Sequence, residues 1–256
     1  SKQRFCLMTG VSKFSKVSIF SDLNNLTDIT MDVRFSSLLG YTHDEVRSYF
    51  PRRLEALAQS LGTDPDGAFA RLADMYDGYC FDRSMTRVFN PVSLGRCLDS
   101  ADIRSYWFET GTPGWLMSYA KKGPMEVEAV EVSEEQLGTF EPAEPFMPAV
   151  LFQTGYLTIK GLEERGRRRS YTLGFPNHEV EDGFNAWLAD TYTKDAAATS
   201  SWRNACYHSV RSGDCAGFVD ALSALFASIG YDLTDRLSEQ AYQCVVVAIL
   251  RYIGVD

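Results

Sequence analysis

The chain has 256 residues, of which 45% are apolar and 23% charged, and its net charge is −9. These values are ordinary for a globular protein and supply enough apolar material for one large or two small packed domains. The acidic balance excludes a protein whose whole surface grips nucleic acid, and leaves only a local basic patch for that role.

The longest uninterrupted apolar run, Val245 to Leu250, is far short of the roughly 20 residues a membrane span needs. With no secretory leader visible, the sequence predicts a soluble, cytoplasmic chain with no membrane partner. Six cysteines (Cys6, Cys80, Cys97, Cys206, Cys215 and Cys244) form no CxxC pair, and most sit in apolar runs. They read as reduced, buried thiols in a reducing compartment. The three histidines (His43, His178 and His208) are scattered, so no zinc site is expected.

In chain order, Arg4 to Gly10 reads as a short buried strand ending at a glycine turn. A buried strand there, with no partner before it, implies sequence upstream. The apolar helical pattern of Ser238 to Ile253, stopped at Gly254, gives the same impression at the other end. Between them the reading is mostly helical. Thr42 and Glu45 form a capping box for a helix to about Phe50. Pro51 opens the next helix, through Leu61, and Asp64-Pro65-Asp66 starts another to about Met75. Asp77-Gly78 is a turn, Arg87 to Phe89 is extended, and Asn90-Pro91 starts a helix through Leu98. Thr110 to Gly114 breaks the chain before a helix at Trp115 to Ala120.

Residues 123–147 are rich in Glu and Pro and read as an acidic linker or surface segment with no site. Pro148 to Gly155 reads as a helix, Tyr156 to Ile159 as a strand, and Gly161 to Ser170 as a charged turn. Tyr171 to Phe175 is the returning strand, and Pro176 starts a helix to about Tyr192. That order describes a winged-helix-like module over 148–195. Residues 196–256 read as helices broken at Ser212-Gly213-Asp214 and Gly230-Tyr231-Asp232. The fold class is therefore mainly α with small β elements, and the first region spans 1–122.

Three groups of residues could carry chemistry. Gly10 to Val17 follows the first predicted strand and places Lys16 as a phosphate loop would. It has Ser15 where that loop needs glycine, and Val17 where it needs a hydroxyl for Mg²⁺. Thr9 and Ser12, at a strand tip, are instead candidate sensors of a phosphate held elsewhere, with a plain hydroxyl-bonded turn as the alternative. Arg165, Arg167, Arg168 and Arg169 crowd one turn and are candidates for contacting nucleic-acid phosphates, the alternative being a solubilising turn. Tyr76-Asp77-Gly78-Tyr79, Tyr106-Trp107-Phe108 and Phe152 to Tyr156 read as core aromatics around fixed turns. No Ser/His/Asp, Cys/His or nuclease-type carboxylate arrangement can be read from spacing.

Several of these segments, in order, resemble the bacterial AAA-ATPase-like family. They are Thr9 to Ser15, Ser18 to Leu26, Gly40-Tyr41-Thr42, Tyr76 to Tyr79, Asn90-Pro91, Tyr106 to Phe108 with Thr110 to Pro113, Leu151 to Lys160, and Phe175 to Asn177 with Glu179-Val180. The resemblance covers nearly the whole chain. It implies an α/β remnant of a P-loop ATPase core, a helical lid and a winged-helix module. It also implies a phosphate loop upstream that binds ATP and Mg²⁺, and a PD-(D/E)XK nuclease-like domain downstream, whose first helix would begin near Glu239. The chain itself holds neither loop nor nuclease strands, so it is expected to have no cofactor and no catalytic or metal-binding residues of its own. Two functions follow as expectations. In one, Thr9 and Ser12 sense nucleotide and the arginines meet DNA. In the other, the region is a non-catalytic interaction or regulatory scaffold, with self-association among its contacts.

Overall fold

The computed structural model describes residues 4–7, 9–10, 27–107, 127, 129–138, 145–166, 168–192 and 196–228. The chain divides into two units, one of residues 1–104 with 126–178 and the other of 105–125 with 179–256. The described residues are mainly helical with one small sheet, the class the sequence implies. Among them, no helix is long and apolar enough to cross a membrane.

The first unit opens on helices whose ends are written in the sequence. Helix α1 (His43–Tyr49) starts with the expected capping box: the Thr42 hydroxyl accepts from the Glu45 N–H, and the Glu45 carboxylate accepts from the Thr42 N–H at 2.9 Å. Helix α2 (Pro51–Leu61) has proline in its first turn and buries Leu54, Leu57 and Ala58, spaced to form one stripe. Helix α3 (Pro65–Tyr76) is capped by Asp64, whose side chain accepts from the Gly67 N–H at 2.6 Å. Helix α4 (Pro91–Ser100) is capped by Asn90, whose side-chain oxygen accepts from Val92 and Ser93 at 2.9 and 3.2 Å. Two isolated bridges, Tyr41 to Phe89 and Tyr79 to Val88, tie the intervening loops together. Gly40 permits this, since a Cβ there would lie 2.6 Å from the Phe89 carbonyl oxygen.

The same unit carries a three-stranded antiparallel sheet, in the order β1-β3-β2. Its elements are β1 (Val130–Ser133), α5 (Glu134–Gly138), α6 (Met147–Gln153), β2 (Thr158–Arg165) and β3 (Arg168–Gly174). Two expectations are corrected here. Strand β1 and helix α5 lie in the acidic stretch read as a linker. Val130 and Val132 face the core while Glu131 is exposed, so the glutamates occupy the outer side of a strand. The turn expected over 161–170 is also much shorter. The ladder runs on through Leu162 opposite Tyr171 to Arg165 opposite Arg168, and only Gly166 and Arg167 connect the strands. Gly166, at φ 66, supplies the positive φ that a two-residue hairpin loop demands. A register shift between Ile159 and Gly161 leaves Lys160 as the extra residue of a bulge. Leu151, Leu157, Ile159, Tyr171 and Leu173 are all buried.

The second unit contains α7 (His178–Tyr192), nearly all of which belongs to it, with α8 (Ala196–Ser212) and α9 (Cys215–Ser228). The predicted break falls in place: Gly213 adopts φ 71, and Asp214 caps α9 by accepting from the Gly217 N–H at 3.0 Å. Phe184, Leu188, Trp202, Cys206 and Ala221 are buried. The helix expected at Trp115 to Ala120, the break at Gly230 to Asp232 and the helix carrying Glu239 lie outside the described residues. The strand expected at Arg4 to Gly10 is not formed. Residues 4–7 and 9–10 are irregular and exposed, because no described strand offers that segment a ladder.

Candidate functional site

The two sensor candidates separate at once. Thr9 is exposed in irregular chain, and Ser12, like Lys16, lies outside the described residues.

The basic turn is the tip of the β2–β3 hairpin. Its arginines do not stand alone. Arg165 makes a two-pronged contact with Glu163, its Nε and Nη2 each donating at 2.9 Å. Arg169 donates to Glu164 at 2.9 Å and lies 3.5 Å from Glu134 on α5. The carboxylate beside each guanidinium holds it further into its charged form, raising both above the ordinary arginine value. Glu131 also acts on Arg165, and Arg168 on Glu135. Among the described residues, Arg165, Arg168 and Arg169 are thus faced by Glu131, Glu134, Glu135, Glu163 and Glu164. Arg167 itself lies outside the described residues.

Four of the segments that carry the resemblance, Tyr76 to Tyr79, Asn90-Pro91, Leu151 to Lys160 and Phe175 to Asn177, meet inside the first unit. Gly78 has φ 115, and a Cβ there would overlap the Pro176 carbonyl oxygen. Lys160, from the bulge, donates to that same carbonyl at 3.0 Å. The Tyr79 hydroxyl donates to Gly155 O at 3.2 Å. The Thr158 hydroxyl accepts from Cys80 N at 2.6 Å and donates to Cys80 O at 2.8 Å. The Asn90 N–H donates to Tyr76 O at 3.1 Å. Tyr76, Tyr79, Phe152 and Tyr156 are all buried, as expected of core aromatics. Burial alone pushes the Tyr156 hydroxyl up to about 12, so it stays a neutral phenol.

Two arrangements were not legible in the sequence. His43 Nε2 lies 2.8 Å from Asp77 Oδ2, with its ring edge-on to Phe69 at 5.3 Å and tilted against Phe89 at 5.4 Å. Asp77 is buried, and its Oδ1 has no hydrogen-bond partner among the described residues. The pair orients an exposed imidazole, but no group of three metal-ligating side chains exists among the described residues. The second arrangement is Glu179, fully buried, whose Oε1 accepts from the backbone N–H groups of Tyr106 at 2.6 Å and Trp107 at 3.0 Å. A sequence offers no pattern for either, since the partners stand 34 and 73 residues apart.

The thiols correct another expectation. Cys80, Cys97 and Cys206 are buried, but Cys6 and Cys215 are exposed. Burial pushes the Cys80 and Cys206 thiols up, which lowers their thiolate fraction. Brief alkylation of the native chain, read by peptide mass mapping, should label Cys6 and Cys215 and spare Cys80, Cys97 and Cys206 until denaturant is added.

No family model matches the chain, and no solved structure matches it. The chain is similar to a protein described as "Uncharacterized protein in vnfD 5'region" from Azotobacter chroococcum mcd 1, with 35% identity over 232 residues. The match covers 90% of this chain and 43% of that protein, so the chain spans less than half the relative's length.

Proposed function

We propose that the chain is the non-catalytic, protein-contacting part of an ATPase-like protein. Residues 1–122 are the end of its core, and the strand–helix–helix–hairpin segment from Val130 is a winged-helix-like module. The order β1-β3-β2, with α5 and α6 between β1 and β2, supports the winged-helix reading. The single observation that favours protein over nucleic acid as its partner is the neutralised wing. Glu163, Glu164 and Glu134 occupy the guanidinium groups of Arg165 and Arg169. Helix α6 agrees with it. The helix preceding such a hairpin is the one that would enter a major groove, yet Met147, Ala149, Val150, Leu151 and Phe152 of α6 are buried and none of its residues is basic. Any ATP and Mg²⁺ chemistry, with Thr9 and Ser12 as its sensors, belongs in this reading to the larger protein.

The test unmasks the arginines. Fluorescence anisotropy of a short labelled duplex at low salt should show negligible binding by the native chain. The double change Glu163→Gln and Glu164→Gln should raise affinity by about tenfold or more, because two neutralising charges are removed from the tip. Tight native binding that those changes do not strengthen would sink the proposal and restore the DNA-contacting wing.

A further inference from the structure

The chain passes between its two units at three links, 104–105, 125–126 and 178–179. Two of these are fastened on both sides. Before the first link, Arg104 is held to α3: the Tyr76 hydroxyl accepts from its N–H at 3.0 Å and donates to its carbonyl at 2.7 Å. Before the third link, His178 lies 3.4 Å from Asp74, also on α3. Beyond the links, Glu179 gathers the two returning segments. Its carboxylate accepts from both Tyr106 and Trp107 while sitting in the first turn of α7.

We propose that Glu179 is a conformational clip. It binds residues 105–107 to the start of α7 as one opening element. The physical case is the fully buried carboxylate. A charge out of water is tolerated where backbone donors meet it, and two amide N–H groups together with the positive end of a helix of 15 residues do so. Opening residues 105–107 away from α7 would strip those donors from the charge, so the two segments open together or stay closed together.

Site-resolved hydrogen exchange of the full chain tests this. In the native protein the Tyr106 and Trp107 amides should exchange at matching, slow rates. Glu179→Ala should speed both by about tenfold or more, the loss expected for charge-assisted bonds, while amides of α4 keep their rates. Glu179→Gln, which keeps the shape and an acceptor oxygen, should speed them less, and it carries the test if the alanine variant does not fold. Tyr76→Phe should speed the Arg104 amide and leave Tyr106 and Trp107 unchanged. Unchanged exchange at 106 and 107 in the Glu179 variants would overturn the clip. So would a uniform rise across the chain in Glu179→Gln, or a response to Tyr76→Phe shared by 104, 106 and 107.

Discussion

Gly78→Ala should lower the unfolding free energy by roughly 3–5 kcal/mol, as two costs combine at one atom. The first is backbone strain, since φ 115 is a conformation that side-chain-bearing residues rarely adopt. The second is overlap of the new Cβ with the Pro176 carbonyl oxygen, a backbone atom that cannot swing aside as the tip of a side chain would. Shifting that carbonyl would also disturb the bond it accepts from Lys160. Gly62→Ala is the control. Gly62 also has positive φ, at 64, but a Cβ there meets nothing within 4 Å. It should lose only about 1–2 kcal/mol, the strain alone. Urea unfolding of both variants separates the terms, and equal losses would show that the approach to Pro176 costs nothing.

Thr158→Val should cost about 1–3 kcal/mol although it conserves shape, because it leaves the buried Cys80 N–H without an acceptor, while the Cys80 carbonyl keeps the Ile159 N–H at 3.3 Å. Thr158 is wholly buried, and its Oγ1 both accepts from and donates to Cys80. This one hydroxyl seats the start of β2 against the segment that follows Gly78. Thr158→Ser keeps the hydroxyl and should recover most of the loss, less the missing methyl. Denaturant midpoints of the three proteins give the comparison; a valine variant as stable as the serine variant would mean that the Cys80 backbone finds other partners.

The helical part of the first unit was legible because its punctuation is local. Thr42, Asp64 and Asn90 cap from fixed offsets, prolines stand in the first turns, and Gly62 ends α2 in the left-handed conformation. The hairpin is legible, but its strands extend further toward the tip than the charge pattern suggests. Glu163, Glu164, Arg165 and Arg169 look like a loop when read as charge, yet on a paired ribbon Glu164 and Arg169 are cross-strand partners and Glu163 and Arg165 pair along β2. Strand β1 was lost for a related reason. The alternation of Val130, Glu131 and Val132 was present, but the surrounding glutamates and prolines outweighed a signal three residues long. The arginines are visible in the sequence, while the carboxylate on α5 that meets Arg169 is assigned only by the fold. His43 with Asp77, and Glu179 with residues 106–107, are tertiary contacts that no periodicity announces. At Arg4 to Gly10 the opposite holds: the apolar run reads as a strand, but among the described residues no strand pairs it.

The most direct measurement is the salt dependence of duplex-DNA binding by the native chain. A wing that neutralises phosphates makes log K fall against log salt with a slope of about −0.9 for each phosphate contacted. The pairing of Arg165 and Arg169 predicts weak binding with a slope near zero, unchanged when those two arginines are replaced by alanine. A steep slope of about −3 or beyond, lost with those two arginines, would contradict the protein-contacting reading and make nucleic acid the wing's ligand.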